Sequence, residues 1–228
     1  MPFSLIILDY DGVLIDSLTD AIAVGGDFCR SISHDRVPTE ETIGALDIMT
    51  YDELARSIGL SPGQVERFSS HVFDRFQTIS PTMAFFPGIE SLLHRIASKN
   101  IAIVSGNAKN VISAKLAAHD LAEKITCIYG ALEPGDKVEK ILKVCSHFGV
   151  DVGSSCMIGD SVSDIRYAKR AGVQSIAATW GWQTQDKLIK EQPDFIVNNV
   201  RELAALIDSQ YLDSNRIDFQ KPKKFRIR

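Results

Sequence analysis

The sequence of 228 residues lacks a long hydrophobic run, a fibrous composition and an excess of basic residues. No stretch of about eighteen apolar residues occurs, so we expect no membrane-spanning helix. Hydrophobic residues make up 45% of the chain, against only 15 glycines and 8 prolines. This composition excludes an intrinsically disordered or fibrous chain and leaves a globular protein with a buried core.

The four cysteines are not spaced as in metal-binding or redox motifs. They are scattered along the chain without a CxxC pair, at Cys29, Cys127, Cys145 and Cys156. We therefore expect reduced, buried thiols of a cytoplasmic protein. The N-terminal segment MPFSLIILDYDG also lacks the basic region and the cleavage site of a signal peptide, which agrees with a cytoplasmic location.

Charge is unevenly distributed along the chain. The 25 Lys and Arg residues and 29 Asp and Glu residues leave a net charge of −4, and residues 211–228 alone carry +4. The preceding 210 residues are therefore acidic, which argues against nucleic acid as a ligand, because contacts to its phosphates need a basic face. We interpret residues 211–228 as a solvated basic tail, and we expect a monomer or homodimer.

Six apolar stretches have the length of β-strands. They begin near residues 4, 101, 125, 154, 174 and 194, and they are continuously apolar rather than alternating. This pattern is typical of parallel strands that are covered on both faces. Amphipathic helical segments such as PGIESLLHRIASKN alternate with them from about residue 84 to 210. The sequence predicts an α/β fold with a Rossmann-like, three-layer core around a parallel sheet.

Residues 16–83 interrupt this alternation. They show no convincing strand and are typical of short helices: LTDAIAVGGDFCRSI, TEETIGALDI, TYDELARSIG and PGQVERFSSHVFDRF. Thr50 or Asp52 could cap the third helix, and Ser61 followed by Pro62 could begin the fourth. We predict a core formed by residues 1–15 and 84–210, with residues 16–83 inserted after the first strand as an α-helical cap domain.

Polar side chains follow three of the predicted strands. Asp9 ends the first strand, Ser105 the second and Asp160 a later one. Ligands of open parallel sheets bind beyond the carboxyl ends of the strands, so these side chains should meet there. Asp11 lies on the same side as Asp9 if the backbone stays extended. Alone, the Asp-Gly pair at residues 11–12 is an ordinary turn signal.

A fourth carboxylate, Asp164, follows Asp160 by one helical turn. Several carboxylates at one sheet edge are unfavourable unless a hard divalent cation compensates them, and oxygen ligands suit Mg²⁺. Helix capping by Asp160 or Ser161 is an alternative for this segment, but it accounts for only one of the acidic residues. The sequence therefore predicts a magnesium site.

Four motifs together resemble the haloacid dehalogenase superfamily of phosphohydrolases. DYDGVLIDS at residues 9–17 resembles its first motif and Ser105 in IAIVSGN the second. Lys137 resembles the third-motif lysine, and GDSVSDIRYAKRAG resembles the fourth motif. The resemblance extends to about residue 210 and is greatest to phosphoglycolate-phosphatase-like members with a helical cap. Val138 follows Lys137 where the family often has proline, so Lys109 and Lys140 stay alternatives for this lysine.

The resemblance implies a Mg²⁺-dependent phosphatase that acts on a small-molecule phosphate monoester, with a phosphoglycolate-like ester as one candidate. Asp9 would attack phosphorus and form an aspartyl-phosphate, and Asp11 would serve as general acid and then base. The implied phosphate-binding groups are Ser105, Gly106 and Lys137. The implied Mg²⁺ ligands are Asp9, the Asp11 carbonyl, Asp160 and Asp164.

Other reactions of the superfamily fit the sequence less well. Asp11 is a residue that related dehalogenases do not keep, and residues 16–83 lack the lysine that a phosphonatase needs in its cap. A phosphosugar mutase-like isomerase stays an alternative, although residues 16–26 lack the histidine that is usual in mutases. A non-catalytic phosphoacceptor or binding module is a further alternative, but receiver domains of that kind are smaller and lack the insertion.

Two groups of residues could determine which ester is bound. The cap arginines could bind a carboxylate or second phosphate on the leaving group, or they could lie on solvated helix faces: Arg30, Arg36, Arg56, Arg67 and Arg75. The tryptophans that follow the fifth strand could line a pocket or pack against the core: Trp180 and Trp182.

Overall fold

A six-stranded parallel sheet forms the centre of the structure, a computed structural model that describes residues 3–208. Its strands are β1 (Leu5–Leu8), β2 (Asn100–Val104), β3 (Cys127–Tyr129), β4 (Ser155–Gly159), β5 (Gln174–Ala178) and β6 (Phe195–Val197). The spatial order is β3-β2-β1-β4-β5-β6, and every neighbouring pair is parallel. The predicted α/β class and parallel sheet are thus confirmed, whereas the basic segment 211–228 lies outside the described residues.

The central strand β1 shows why the strands are continuously apolar. Leu5 and Ile7 pack into one hydrophobic cluster, whereas Ile6 and Leu8 pack into another. Successive side chains point to opposite faces of a strand, so β1 is fully buried only because helices cover both faces of the sheet. Each such buried side chain contributes roughly 1.5–3 kcal/mol relative to exposure.

Helices on the two faces complete the three predicted layers. α7 (Lys137–Phe148) and α8 (Val162–Ala171) contribute to the cluster that contains Leu5. The cluster that contains Ile6 receives side chains from α5 (Ile89–Arg95), α6 (Lys109–Ala118) and α10 (Val200–Ile207). No helix between residues 3 and 208 has the length and hydropathy that crossing a bilayer requires.

One helix of the sheet region has no sequence signal of its own. α9 (Gln185–Lys190) has six residues, and Leu188 is its only buried side chain. A single apolar position cannot establish a helical period, so the hydrophobic pattern does not indicate this helix.

The four cysteines are free thiols, as expected. Three of them are buried, whereas Cys127 is half-buried.

Residues 16–83 contain helices and no strand. These helices are α1 (Leu18–Ser31), α2 (Glu40–Ala45), α3 (Tyr51–Ser57) and α4 (Pro62–Ile79), followed by a 3₁₀ turn at Ser80–Thr82. Of the two candidate caps for α3, Thr50 accepts a hydrogen bond from the Glu53 amide at 3.2 Å. Helices α1 and α4 pack against each other through aromatic side chains, because the ring centroids of Phe28 in α1 and Phe68 in α4 lie 5.5 Å apart.

The chain enters and leaves this helical segment at one place. The Asp16 amide donates to the Ala84 carbonyl at 3.0 Å, and the Phe86 amide donates to the Leu14 carbonyl at 2.9 Å. The two connections therefore run side by side next to the end of β1. The division of the chain into a core and a cap that moves as a unit stays a prediction.

Candidate active site

The chain turns sharply where it leaves β1. The chain bends at Tyr10, so the backbone is not extended from Asp9 through Asp11, and the Leu14 amide closes the following turn by donating to the Tyr10 carbonyl at 2.9 Å. Gly12 has a φ of 76°, and a Cβ atom there would collide with the carboxylate of Asp160. Glycine is required at this position on both counts, because other residues disfavour positive φ and would displace a neighbouring carboxylate.

Three carboxylates and one lysine meet beyond the ends of β1 and β4. Carboxylate oxygens of Asp9, Asp160 and Asp164 all lie within 4.8 Å of one another. Lys137, at the first position of α7, donates from Nζ to Asp9 Oδ2 at 2.8 Å and to Asp164 Oδ1 at 2.6 Å. Lys140 instead donates to the Gly130 carbonyl at 2.7 Å. Of the lysines considered from the sequence, Lys137 is the one in contact with Asp9.

Asp11 lies beside this cluster, on the side of β2. Its Oδ2 accepts a hydrogen bond from the side-chain amide of Asn107 at 3.2 Å, and its Oδ1 is buried. Asn107 also donates its backbone amide to Ser105 Oγ at 3.0 Å. Asn107 therefore links Ser105 to Asp11. It follows Ser105 by two residues, and that spacing is the only signal that the sequence offers for it.

Helix capping and the carboxylate cluster occur together at the start of α8. Ser161 is the N-cap, and its Oγ accepts from the Asp164 amide at 3.2 Å and donates to Asp164 Oδ2 at 2.6 Å. Asp164 thus uses one oxygen for the cap and the other for Lys137. Asp160 is held separately, because its Oδ2 accepts from the Trp182 amide at 2.6 Å. Helix capping by Ser161 and a carboxylate cluster formed by Asp160 and Asp164 are therefore compatible interpretations of this segment.

The electrostatics of the cluster leave negative charge without a partner. Burial raises the pKa of Asp9, against the lowering effect of Lys137, and burial raises the pKa of Asp11. Burial together with the charges of Asp164 and Asp9 raises the pKa of Asp160 well above its usual value. Asp164 and Asp9 raise the pKa of Lys137, although burial opposes the shift. One lysine cannot neutralise three carboxylates, so the site fits a divalent cation with oxygen ligands.

A cavity of about 410 Å³ connects these groups with the helical segment. Asp9, Asp11, Ser105, Gly106 and Lys137 line it on the sheet side, together with Asp160 and Asp164. The opposite side is lined by residues from α2 to α3: Ile43, Leu46, Met49, Thr50, Tyr51 and Leu54. All seven site residues considered from the sequence therefore line one cavity.

The cap arginines and the tryptophans differ in their relation to this cavity. None of the five arginines lines it. Arg30 pairs with Asp27, and Arg56 pairs with residues of its own helix, so these two lie on solvated faces. Trp182 lines the cavity, whereas Trp180 donates from Nε1 to the Val13 carbonyl at 3.2 Å. Trp182 therefore lines the pocket, whereas Trp180 packs against the core.

Two side chains after β5 hold the end of α2 against the sheet region. Gln183 is buried, accepts from the Val162 amide at 2.7 Å and donates to the Leu46 carbonyl at 2.6 Å. Lys187 donates from Nζ to the Leu46 carbonyl at 2.6 Å and to the Gly44 carbonyl at 3.0 Å. Gln183 thus connects the start of α8, where the carboxylates lie, with the opposite wall of the cavity.

Replacing Gln183 by alanine should loosen this wall. The Val162 amide and the Leu46 carbonyl would both lose a partner, so we expect the free energy of unfolding to fall by about 1–3 kcal/mol. Denaturant unfolding measures this loss, and hydrogen exchange should become faster at the amides of residues 43–49. Lys187→Met is the matched control, because it removes only contacts to the wall and should speed exchange with a smaller loss of stability. Unchanged exchange in Gln183→Ala would contradict the prediction.

Comparison with known proteins shows which proteins this chain is similar to. The family model for haloacid dehalogenase-like hydrolases matches residues 6–178. A phosphoglycolate phosphatase of Synechococcus elongatus is 25% identical over 204 residues, which are 89% of this chain and 96% of that protein. The "Probable phosphatase IndB" of Dickeya dadantii is 27% identical over 217 residues, 88% of this chain and 92% of that protein.

A solved structure shows the same fold. The haloacid dehalogenase-like family hydrolase of Streptococcus pneumoniae superimposes with a TM-score of 0.78 at 22% identity, covering 89% of this chain and 97% of its own. The family match spans most of the chain, from β1 to the end of β5. The resemblance found in the motifs is thereby confirmed: this chain belongs to the family of haloacid dehalogenase-like hydrolases.

Proposed function

We propose that this protein is a Mg²⁺-dependent phosphatase that hydrolyses a small-molecule phosphate monoester through an aspartyl-phosphate at Asp9. The observation that carries the proposal is the position of Asp9 at the end of β1, inside the cavity and 2.8 Å from the Lys137 ammonium. Relatives named as phosphatases support it. Their names also make phosphoglycolate one candidate substrate.

Asp9, Asp160 and Asp164 would hold the Mg²⁺ ion, with the Asp11 carbonyl as a further ligand. Their carboxylate oxygens are close together and are hard donors, which is the kind of ligand set that Mg²⁺ prefers. The ion would offset the repulsion between an anionic nucleophile and an anionic phosphate. Lys137 would supply further positive charge from within the chain.

Asp9 and Asp11 would perform the two chemical steps. An oxygen of Asp9 forms a bond to phosphorus while the ester bond to the leaving group breaks, and Asp11 transfers a proton to the departing oxygen. Asp11 then takes a proton from a water molecule that attacks the phosphorus, which releases inorganic phosphate and restores Asp9. Asn107 donates to Oδ2 of Asp11 and would thereby orient this carboxyl group, which lines the cavity.

The phosphoryl oxygens would be bound by Ser105, the Gly106 amide and Lys137. Ser105 Oγ already accepts the Asn107 amide, so its own hydrogen is directed elsewhere and can be donated to a phosphoryl oxygen. Residues 16–83 would act as a lid that bends at the paired connections near residues 15 and 84. A closed lid excludes water that would otherwise compete in phosphoryl transfer.

The test is phosphate release from p-nitrophenyl phosphate, with and without Mg²⁺. We expect turnover in Mg²⁺, loss of turnover in chelator and recovery when Mg²⁺ is added back. Full turnover in chelator, or none in Mg²⁺, would contradict the proposal. A stable phosphorylated protein without turnover would favour a phosphoacceptor, and conversion of a sugar phosphate to its isomer without phosphate release would favour a mutase.

A further inference from the structure

The cavity wall that faces the aspartates is mainly apolar. Its side chains come from α2, α3 and the segment between them: Ile43, Leu46, Met49, Thr50, Tyr51 and Leu54. Thr50 is the N-cap of α3, and its hydroxyl oxygen accepts from the Glu53 amide. The hydroxyl groups of Thr50 and Tyr51 are thus the polar side-chain groups that this wall offers to a leaving group, and both are neutral. Trp182 adds an aromatic ring beside it.

This wall carries no positive charge within the described residues 3–208. The cap arginines do not line the cavity, and two of them pair with acidic residues on solvated faces. A carboxylate that is moved from water against this wall loses hydration and gains no opposite charge to compensate its own, which is unfavourable. A leaving group with a carboxylate or second phosphate therefore finds no cationic partner on this side.

The lysines on the sheet side of the cavity are already engaged. Lys137 binds Asp9 and Asp164. Lys140, one turn further along α7, is buried and donates to the Gly130 carbonyl at 2.7 Å. A carboxylate on the leaving group would have to compete for a lysine that has these partners, next to three carboxylates of like charge.

We infer that the preferred substrate is a phosphate monoester whose leaving group is uncharged and apolar or aromatic, and that an ester with a carboxylate on the leaving group, such as phosphoglycolate, is disfavoured. This inference rests on the proposed phosphatase function. Apolar burial against Leu46, Met49 and Leu54 would supply the binding energy, and the Tyr51 hydroxyl would bind a neutral polar group. The cavity of about 410 Å³ has room for a ring beside the phosphoryl group.

The test compares benzyl phosphate with 4-carboxybenzyl phosphate, which differ in one carboxylate far from the reacting bond. We expect kcat/KM in Mg²⁺ to be at least about tenfold higher for benzyl phosphate. Phosphoglycolate should also be a poorer substrate than benzyl phosphate. A preference for either carboxylate ester would overturn the inference while leaving the phosphatase function intact. Turnover of no ester at all, including p-nitrophenyl phosphate, would overturn both.

Variants of the wall test whether its lack of positive charge causes the preference for benzyl phosphate. Met49→Lys places a cation on the wall and should reduce the preference for benzyl phosphate at least about threefold. Ile48→Lys is the matched control, because Ile48 is 49% exposed and does not line the cavity, and it should leave the preference unchanged. Equal effects of both variants would overturn the role of the wall. A loss of phosphoglycolate turnover specific to Lys140→Met would show that Lys140 binds the carboxylate, which would also overturn it.

Discussion

Phosphate release should fall by about 10³-fold or more when Asp9 is replaced by asparagine, a loss typical of removing a nucleophile. Asparagine has the shape of aspartate, but its neutral amide does not attack phosphorus and is a weaker ligand for a divalent cation. The fold should survive, because the substitution removes one negative charge from a buried site where three carboxylates lie close together and one lysine pairs with two of them. We therefore expect the melting temperature to stay the same or to rise.

Steady-state turnover of p-nitrophenyl phosphate and thermal unfolding measure the two effects separately. Asp186→Asn is the matched control, since it makes the same chemical change at an exposed position in the first turn of α9. This control should retain the turnover of the unaltered protein. If Asp9→Asn kept more than about a tenth of the activity, Asp9 would not be the nucleophile.

The meeting of the carboxylates is predictable from the sequence because it follows from the sheet. β1 and β4 are parallel neighbours with Leu8 opposite Ile158, so the residues that follow them emerge at the same edge. Asp9 comes directly after β1 and Asp160 directly after β4. Asp164 then follows from the period of α8. The strand ends and the helical turn thus determine the cluster without any detail of side-chain packing.

The opposite wall of the cavity is not predictable in this way. Leu46 and Gln183 are in contact although 137 residues separate them in the sequence, and no local period connects them. The cap arginines illustrate the same limit, because the sequence shows which cations are present but not which helix faces point into the cavity. Trp182 is a further example, since its role at Asp160 depends on a backbone amide, which every residue except proline possesses.

Replacing Lys137 by methionine should have the largest effect on stability. Lys137 contacts Asp9 and Asp164, and the lysine and both carboxylates are mostly buried. Removing one partner of a buried ion pair leaves the other charge uncompensated, so without divalent metal we expect the free energy of unfolding to fall by about 3 kcal/mol. Urea unfolding in chelator measures this loss. Phosphate release should fall as well, because the lysine would also bind the phosphoryl group.

Mg²⁺ should restore more stability to this variant than to the unaltered protein. Binding to the folded state alone stabilises it in proportion to the logarithm of the ligand concentration, and the carboxylates without Lys137 have more negative charge to offer the ion. Lys140→Met is the matched control on the same helix, because it removes a hydrogen bond to one backbone carbonyl and should cost only about 1 kcal/mol, with no added response to Mg²⁺. Equal losses in the two variants, or equal responses to Mg²⁺, would show that Lys137 stabilises the site by packing rather than by its charge.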